Sequence, residues 1–243
     1  MIFELFFVLV LVSLVSFVGA ILFYTLKLKS DFVLDLMVAF SVGGLFGGAF
    51  LHLLPELAES GDISFYAIFI LLGIVLFYII ENLISWHHCH HTTHKHLSFS
   101  YMNLVGDFFH NFLDGVVIAG AFLTDINLGI TTALAVIIHE IPQEIGDFGV
   151  LLKGGFSKKK ALVLNFLVSL TSFVGAGLML LFSTLISNIS VYVIALAIGG
   201  FIYIAGTDLI PELNKCQTKK YFIVLLSMMI FGMGLMYLLT LFE

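Results

Sequence analysis

The sequence contains no arginine, two cysteines, three prolines and one tryptophan, and only 11% of its 243 residues are charged. Against 60% hydrophobic residues and a mean hydropathy of +1.14, so few charges could not cover the apolar surface of a soluble domain. No stretch is long enough for a separate soluble domain, so a single transmembrane domain over residues 1–243 is expected. The chain also does not open with the positive charge of a cleaved signal peptide. Its first charged residue is Glu4, and its first lysine, Lys27, follows the first apolar run. The two cysteines, Cys89 and Cys216, fall in connecting loops read below as cytoplasmic, where reduced thiols are expected rather than a disulfide.

What is abundant is apolar runs of bilayer-crossing length. Eight spans are expected at Ile2–Leu26, Phe32–Ala58, Ser64–Ser85, Ser100–Leu123, Leu128–Leu152, Ala161–Ile186, Val191–Glu212 and Tyr221–Phe242. The runs are continuous rather than alternating, which favours helices over a barrel. All ten lysines then lie after spans one, three, five and seven, on one side of the membrane. The positive-inside rule makes that side the cytoplasm and puts both termini outside. The other side carries Glu59, Asp62, Asp125 and Glu243. The net charge of −6 says little about partners, since the lysines mark topology.

Gly43–Leu57 reads GGLFGGAFLHLLPEL and Gly199–Leu213 reads GGFIYIAGTDLIPEL, with seven of fifteen positions identical. Span two runs outward and span seven inward, so the pattern is an inverted repeat of spans one to three and six to eight. Inverted repeats are typical of secondary transporters. The proline of each copy follows a polar residue by three, His52 in one and Asp208 in the other. Gly43, Gly44, Gly47 and Gly48 make small-xxx-small pairs suited to close helix packing.

Ionisable groups are costly in hydrocarbon, by about 2.5–3.5 kcal/mol each on insertion scales. Spans four and five nevertheless hold Asp107, His110, Asn111 and Asp114, and His139, Glu140, Gln143, Glu144 and Asp147. Asp107, His110 and Asp114 share one helical face, and His139, Gln143 and Asp147 form an i, i+4, i+8 row on the other helix. Both histidines fall near mid-membrane depth. Imidazole with carboxylate or amide oxygen is a ligand set for zinc, iron, manganese or related ions. Pro142 lacks a backbone N–H and should kink span five beside the site. The fold class expected is therefore an all-α polytopic membrane protein, eight transmembrane helices with the inverted repeat around broken helices four and five.

The motifs HNFLDG at His110–Gly115 and HEIPQE at His139–Glu144 resemble those of the ZIP (Zrt/Irt-like protein) family of metal transporters. The resemblance covers essentially the whole chain. It implies uptake of zinc, or sometimes Fe2+, Mn2+ or Cd2+, toward the cytoplasm, with Zn2+ the first expectation. It also implies a primary metal site of His110, Asp114, His139 and the residue at Gln143. Asn111, Glu140 and Glu144 would line that site or contribute to a second metal position. Many members have histidine where this chain has Gln143, and some have a carboxylate in span six, where this chain offers Asn165, Ser169, Thr171 and Ser172.

The loop over 86–98 holds six histidines and Cys89; His87, His88, Cys89, His90, His91, His94 and His96 are candidates for metal capture. The ion is expected to pass His52 and Glu56, bind at midplane, and leave past Asp107 and Asp147 toward Asp208 and Glu212. The chain has no ATP-binding motif, so flux should follow gradients. Two other readings exist. His139-Glu140 opens like the H-E-x-x-H of a zinc metalloprotease, but Gln143 stands at the second histidine position and Pro142 interrupts the helix. A proton or cation antiporter would also use buried carboxylates, though the paired histidines favour a transition metal and no enzyme is expected. The expected location is the cell membrane. Expected partners are a divalent metal ion and the lipid bilayer, with a homodimer compatible and no nucleic acid.

Overall fold

The computed structural model describes residues 1–25, 30–59, 61–88, 95–214 and 218–240, and among them every regular element is helical. Among the described residues, seven helical segments are long and apolar enough to cross a membrane: Ile2–Tyr24, Asp31–Glu59, Ile63–Leu83, Phe99–Thr124, Lys158–Leu185, Ile189–Leu213 and Lys219–Leu239. A further helix, Ile126–Lys153, has 28 residues and a length of about 42 Å at 1.5 Å per residue. It is as long as the others but carries the second polar motif. The protein is thus an all-α, multi-pass membrane protein. In chain order these helices are segments one to eight, and each expected span matches its segment to within three residues at either end.

Helices suit these runs because they satisfy every backbone polar group inside the segment, as hydrocarbon requires. Several starts are fixed by side-chain caps. Ser30 accepts from the Val33 N–H, Asp125 from those of Asn127 and Leu128, Ser157 from Lys160, and Thr218 from Tyr221.

The expected breaks in helices four and five do not occur. Lys95–Thr124 and Ile126–Lys153 are each one continuous α-helix, the second running through Pro142. Wide π turns appear instead in segments two and seven, at Gly48–Leu53 and Ile204–Leu209. Each ends two residues before a proline, Pro55 or Pro211. A proline ring clashes with the carbonyl four residues back, Leu51 or Thr207 here, and widening the turn relieves the clash. Helical residues also run from Thr171 to Tyr203 across a kink at Phe182 (φ −134°, ψ 41°).

The two π turns stand 156 residues apart, and other contacts keep that spacing. Ser13 Oγ donates to the Ser169 carbonyl at 3.3 Å, and Ser169 Oγ donates to the Ser13 carbonyl at 3.3 Å. Ser16 and Ser172 each donate back to those same carbonyls, at 2.7 and 2.8 Å. A Cβ on Gly43 would lie 2.2 Å from the Met229 carbonyl oxygen, and one on Gly199 would lie 2.1 Å from that of Ile70. Glycine is therefore required where segment two crosses eight and where seven crosses three. A Cβ on Gly47 would also lie 2.6 Å from Met236 Cβ of segment eight, whereas one on Gly44 would meet no described atom within 4 Å.

Burial separates centre from rim. The apolar windows of segments two and four are 61% buried and that of segment seven 56%, against 11% for segment three and 17% for segment eight. Phe3, Leu71 and Leu181 are among the exposed large side chains, as a lipid-facing rim requires. The polar residues of segments four and five lie inside. Where segment four crosses six, a Cβ on Gly115 would sit 1.9 Å from the Ser172 carbonyl oxygen, and one on Gly175 would sit 2.0 Å from that of Phe112. This close crossing sets the position of Asp114.

Candidate metal site

His110 and Asp114 are one helical turn apart on segment four, and His139 and Glu140 are adjacent on segment five. The structure brings one donor atom of each within 4.8 Å of all the others. His110 Nε2 lies 3.7 Å from Asp114 Oδ2 and 3.5 Å from Glu140 Oε1, and His139 Nε2 lies 3.7 Å from Asp114 Oδ2. These separations are too long for hydrogen bonds. They are close to the roughly 3.3 Å edge expected for four donors arranged tetrahedrally at about 2.0–2.1 Å around one ion. All four side chains are buried, and both His110 nitrogens, Asp114 Oδ2 and Glu140 Oε1 find no hydrogen-bond partner among the described residues. Buried polar atoms are normally satisfied, so a divalent transition-metal ion fits this donor set.

Two cavities meet the cluster from opposite ends. A cavity of about 430 Å³ opens past His52, Glu56, Glu59 and Thr131 and reaches Asp114 and His139. On the other side a cavity of about 20 Å³ is lined by Ser41, Asn103, Asp107, His110, Gln143 and Asp147, with Phe201 and Pro142 in its wall. The first lies toward the end bearing Glu59 and Asp125, the second toward the end bearing the lysines. At that second end Lys153 Nζ lies 2.5 Å from Asp35 Oδ1 and the Tyr221 hydroxyl donates to Asp35 Oδ2, tying segments five, two and eight together.

The remaining candidates are distributed as follows. The His52 ring lies 5.1 Å from that of His139. Gln143 faces the smaller cavity beside Gly48, whose missing Cβ would be 3.7 Å from Gln143 Nε2. Asn111 Nδ2 donates to Asp107 Oδ1 at 2.7 Å. Glu144 is turned to segment six, where Asn165 Nδ2 donates to its Oε2, so it stands outside the four-residue cluster. Asp147 Oδ1 accepts from Asn103 Nδ2 at 2.9 Å. Asp208 and Glu212 line neither cavity; Asp208 lies on the π turn beside Thr207. Cys89, His90, His91 and His94 lie outside the described residues, as do the side chains of His87, His88 and His96. Ser41 and Asn103 were not singled out from the sequence, although Asn103 stands four residues before Asp107 and seven before His110, on the same face.

The family model "ZIP Zinc transporter" matches residues 2–100 and 87–240. Zinc transporter ZIP6 of Homo sapiens is 35% identical over 151 residues, covering 59% of this chain and 20% of that protein. Zinc transporter zipt-7.1 of Caenorhabditis briggsae is 30% identical over 285 residues, covering 86% of this chain and 72% of that protein. Zinc transporter zipt-7.2 of Caenorhabditis elegans is 30% identical, covering 88% of this chain and 60% of that protein. The chain thus spans about a fifth of the length of the human relative. A helical membrane bundle with a buried imidazole–carboxylate cluster and family matches along almost its whole length leads to one assignment: the chain belongs to the ZIP zinc transporter family, whose members are transporters and not enzymes.

Proposed function

We propose that the protein carries divalent transition-metal ions, zinc first among them, across the cell membrane into the cytoplasm. The observation that carries this reading is the four-donor cluster at the floor of the larger cavity. In the full proposal, segments one to eight all cross the bilayer, with the lysine-bearing loops in the cytoplasm and both termini outside. Segments one to three and six to eight form an inverted repeat, a reading supported by the matched π turns, glycine crossings and serine pairs.

His110, Asp114, His139 and Glu140 hold the ion, with Gln143 beside them and Asn111 and Glu144 shaping the surrounding polar shell. His52 and Glu56 receive the ion from outside; Asp107 and Asp147 stand on its way in, with Asp208 and Glu212 nearer the cytoplasm. The larger cavity already reaches the cluster, which corresponds to an outward-open state. The Asp35, Lys153 and Tyr221 contacts hold the cytoplasmic end together in that state. The histidines must be neutral to ligate, so binding weakens in acid. The histidine-rich loop buffers metal on the cytoplasmic side. A homodimer is compatible with this arrangement.

The test is zinc uptake into liposomes containing the purified protein, driven by the zinc gradient and competed with manganese. Saturable uptake that zinc competes for better than manganese is expected. Gln143→His adds a softer donor next to the cluster and is expected to shift competition further toward zinc. Absence of uptake would defeat the transport reading, and unchanged competition in the variant would show that Gln143 does not reach the ion.

A further inference from the structure

The cavity on the lysine-bearing side of the cluster has an unusual lining. Three of its residues carry buried oxygens that find no hydrogen-bond partner among the described residues: Asn103 Oδ1, Asp107 Oδ2 and Gln143 Oε1. All three are acceptors. Two of the neighbouring amide donors are already used, since Asn111 Nδ2 donates to Asp107 Oδ1 and Asn103 Nδ2 donates to Asp147 Oδ1. Asn103 is 2% exposed and Asp107 and Asp147 are each 7% exposed, so bulk solvent does not satisfy them. Leaving such atoms unpaired is costly. One water could donate to only two of the three, whereas a cation can meet all of them together with the Asp147 carboxylate. The volume of about 20 Å³ suffices for a single such particle, which needs roughly 10–15 Å³.

We infer that Asp107, Asp147 and Asn103 form a second, all-oxygen site for a divalent cation, which receives the ion as it leaves the histidine cluster. The inference rests on the transport reading above. His110 joins the two sites. Its Nε2 lies 3.5 Å from Glu140 within the cluster, while its side chain also lines the inner cavity, and its Nδ1 has no partner among the described residues. Ser41 brings a hydroxyl from segment two, and Phe201, Leu45 and Pro142 close the remaining wall with apolar surface. The donor chemistry changes along the path, from imidazole and carboxylate to carboxylate and amide oxygen. The inner site is therefore harder and discriminates less against manganese than the cluster does. An ion can leave a site with fewer soft donors more readily, which suits a release step.

The test is Mn2+ binding to the purified full-length protein in detergent, followed by the electron paramagnetic resonance signal of free Mn2+. Mn2+ is chosen because it favours oxygen donors. Loop histidines are common to every variant and cancel in the comparison. Wild type is expected to show a binding class that Asp147→Asn weakens at least about tenfold. Asparagine keeps the volume and still accepts the Asn103 hydrogen bond, and Asp107→Asn provides an independent second variant. His139→Ala is expected to remove a different class and spare this one. If both asparagine variants bind Mn2+ as wild type does, there is no inner site. If His139→Ala alone has no effect while Asp147→Asn removes one class, the inner site stands and the assignment of the cluster falls instead.

Discussion

Zinc uptake by His110→Ala and by His139→Ala is expected to fall at least about 10–100-fold, with membrane insertion and folding retained. Loss of groups that merely orient a metal ligand costs that much in affinity or activity, so loss of a ligand should cost no less. At His110 the expected stability effect is small for a specific reason. Neither nitrogen of His110 makes a hydrogen bond among the described residues, so truncation there sacrifices packing but no polar partner. A structural histidine would behave in the opposite way, with its loss unfolding the bundle before it altered selectivity. The check is zinc flux into liposomes beside thermal unfolding of the same metal-free preparations. Flux at the wild-type level in either variant would remove that residue from the site.

The second large effect is expected at Gly115, which is not a ligand. Alanine there would put its Cβ 1.9 Å from the Ser172 carbonyl oxygen. Backbone cannot rotate away as a side chain can, so segments four and six must separate. Overpacking of this kind costs about 1–3 kcal/mol, and the shift is transmitted to the adjacent residue, Asp114. Gly115→Ala is expected to lower both the unfolding temperature and the flux. Gly177→Ala, in a helix where the added methyl meets nothing within 4 Å, is the matched control and should be neutral or mildly stabilising. Equal behaviour of the two variants would show that the close crossing is not needed.

Much of the fold was legible because hydrocarbon imposes one rule on every segment. Apolar runs give the segments and caps such as Ser30 and Asp125 agree with their starts. Much of the metal cluster was legible because i, i+4 spacing on a helix is geometry that needs no partner. His110 and Asp114 could be placed on one face from numbering alone, and His139 and Glu140 named as candidates facing them. The rest depended on contacts between helices. Glu144 carries the same charge as Glu140 but is drawn aside by Asn165 of segment six, a lateral contact that no sequence pattern states. Pro142 pointed to a break that the helix absorbed, while Pro55 and Pro211 are accommodated through π turns. The inner cavity was missed because Ser41 and Asn103 are ordinary polar residues until the fold places them opposite Asp107 and Asp147.

One metal ion is expected to sit among His110, Asp114, His139 and Glu140. The most direct test is anomalous X-ray diffraction at the zinc edge from crystals of the zinc-loaded full-length protein. An anomalous peak is expected inside this cluster, about 2.0–2.2 Å from imidazole nitrogen and carboxylate oxygen. A zinc-saturated, transport-competent protein whose anomalous peaks all lie elsewhere, with these four side chains unligated, would contradict it.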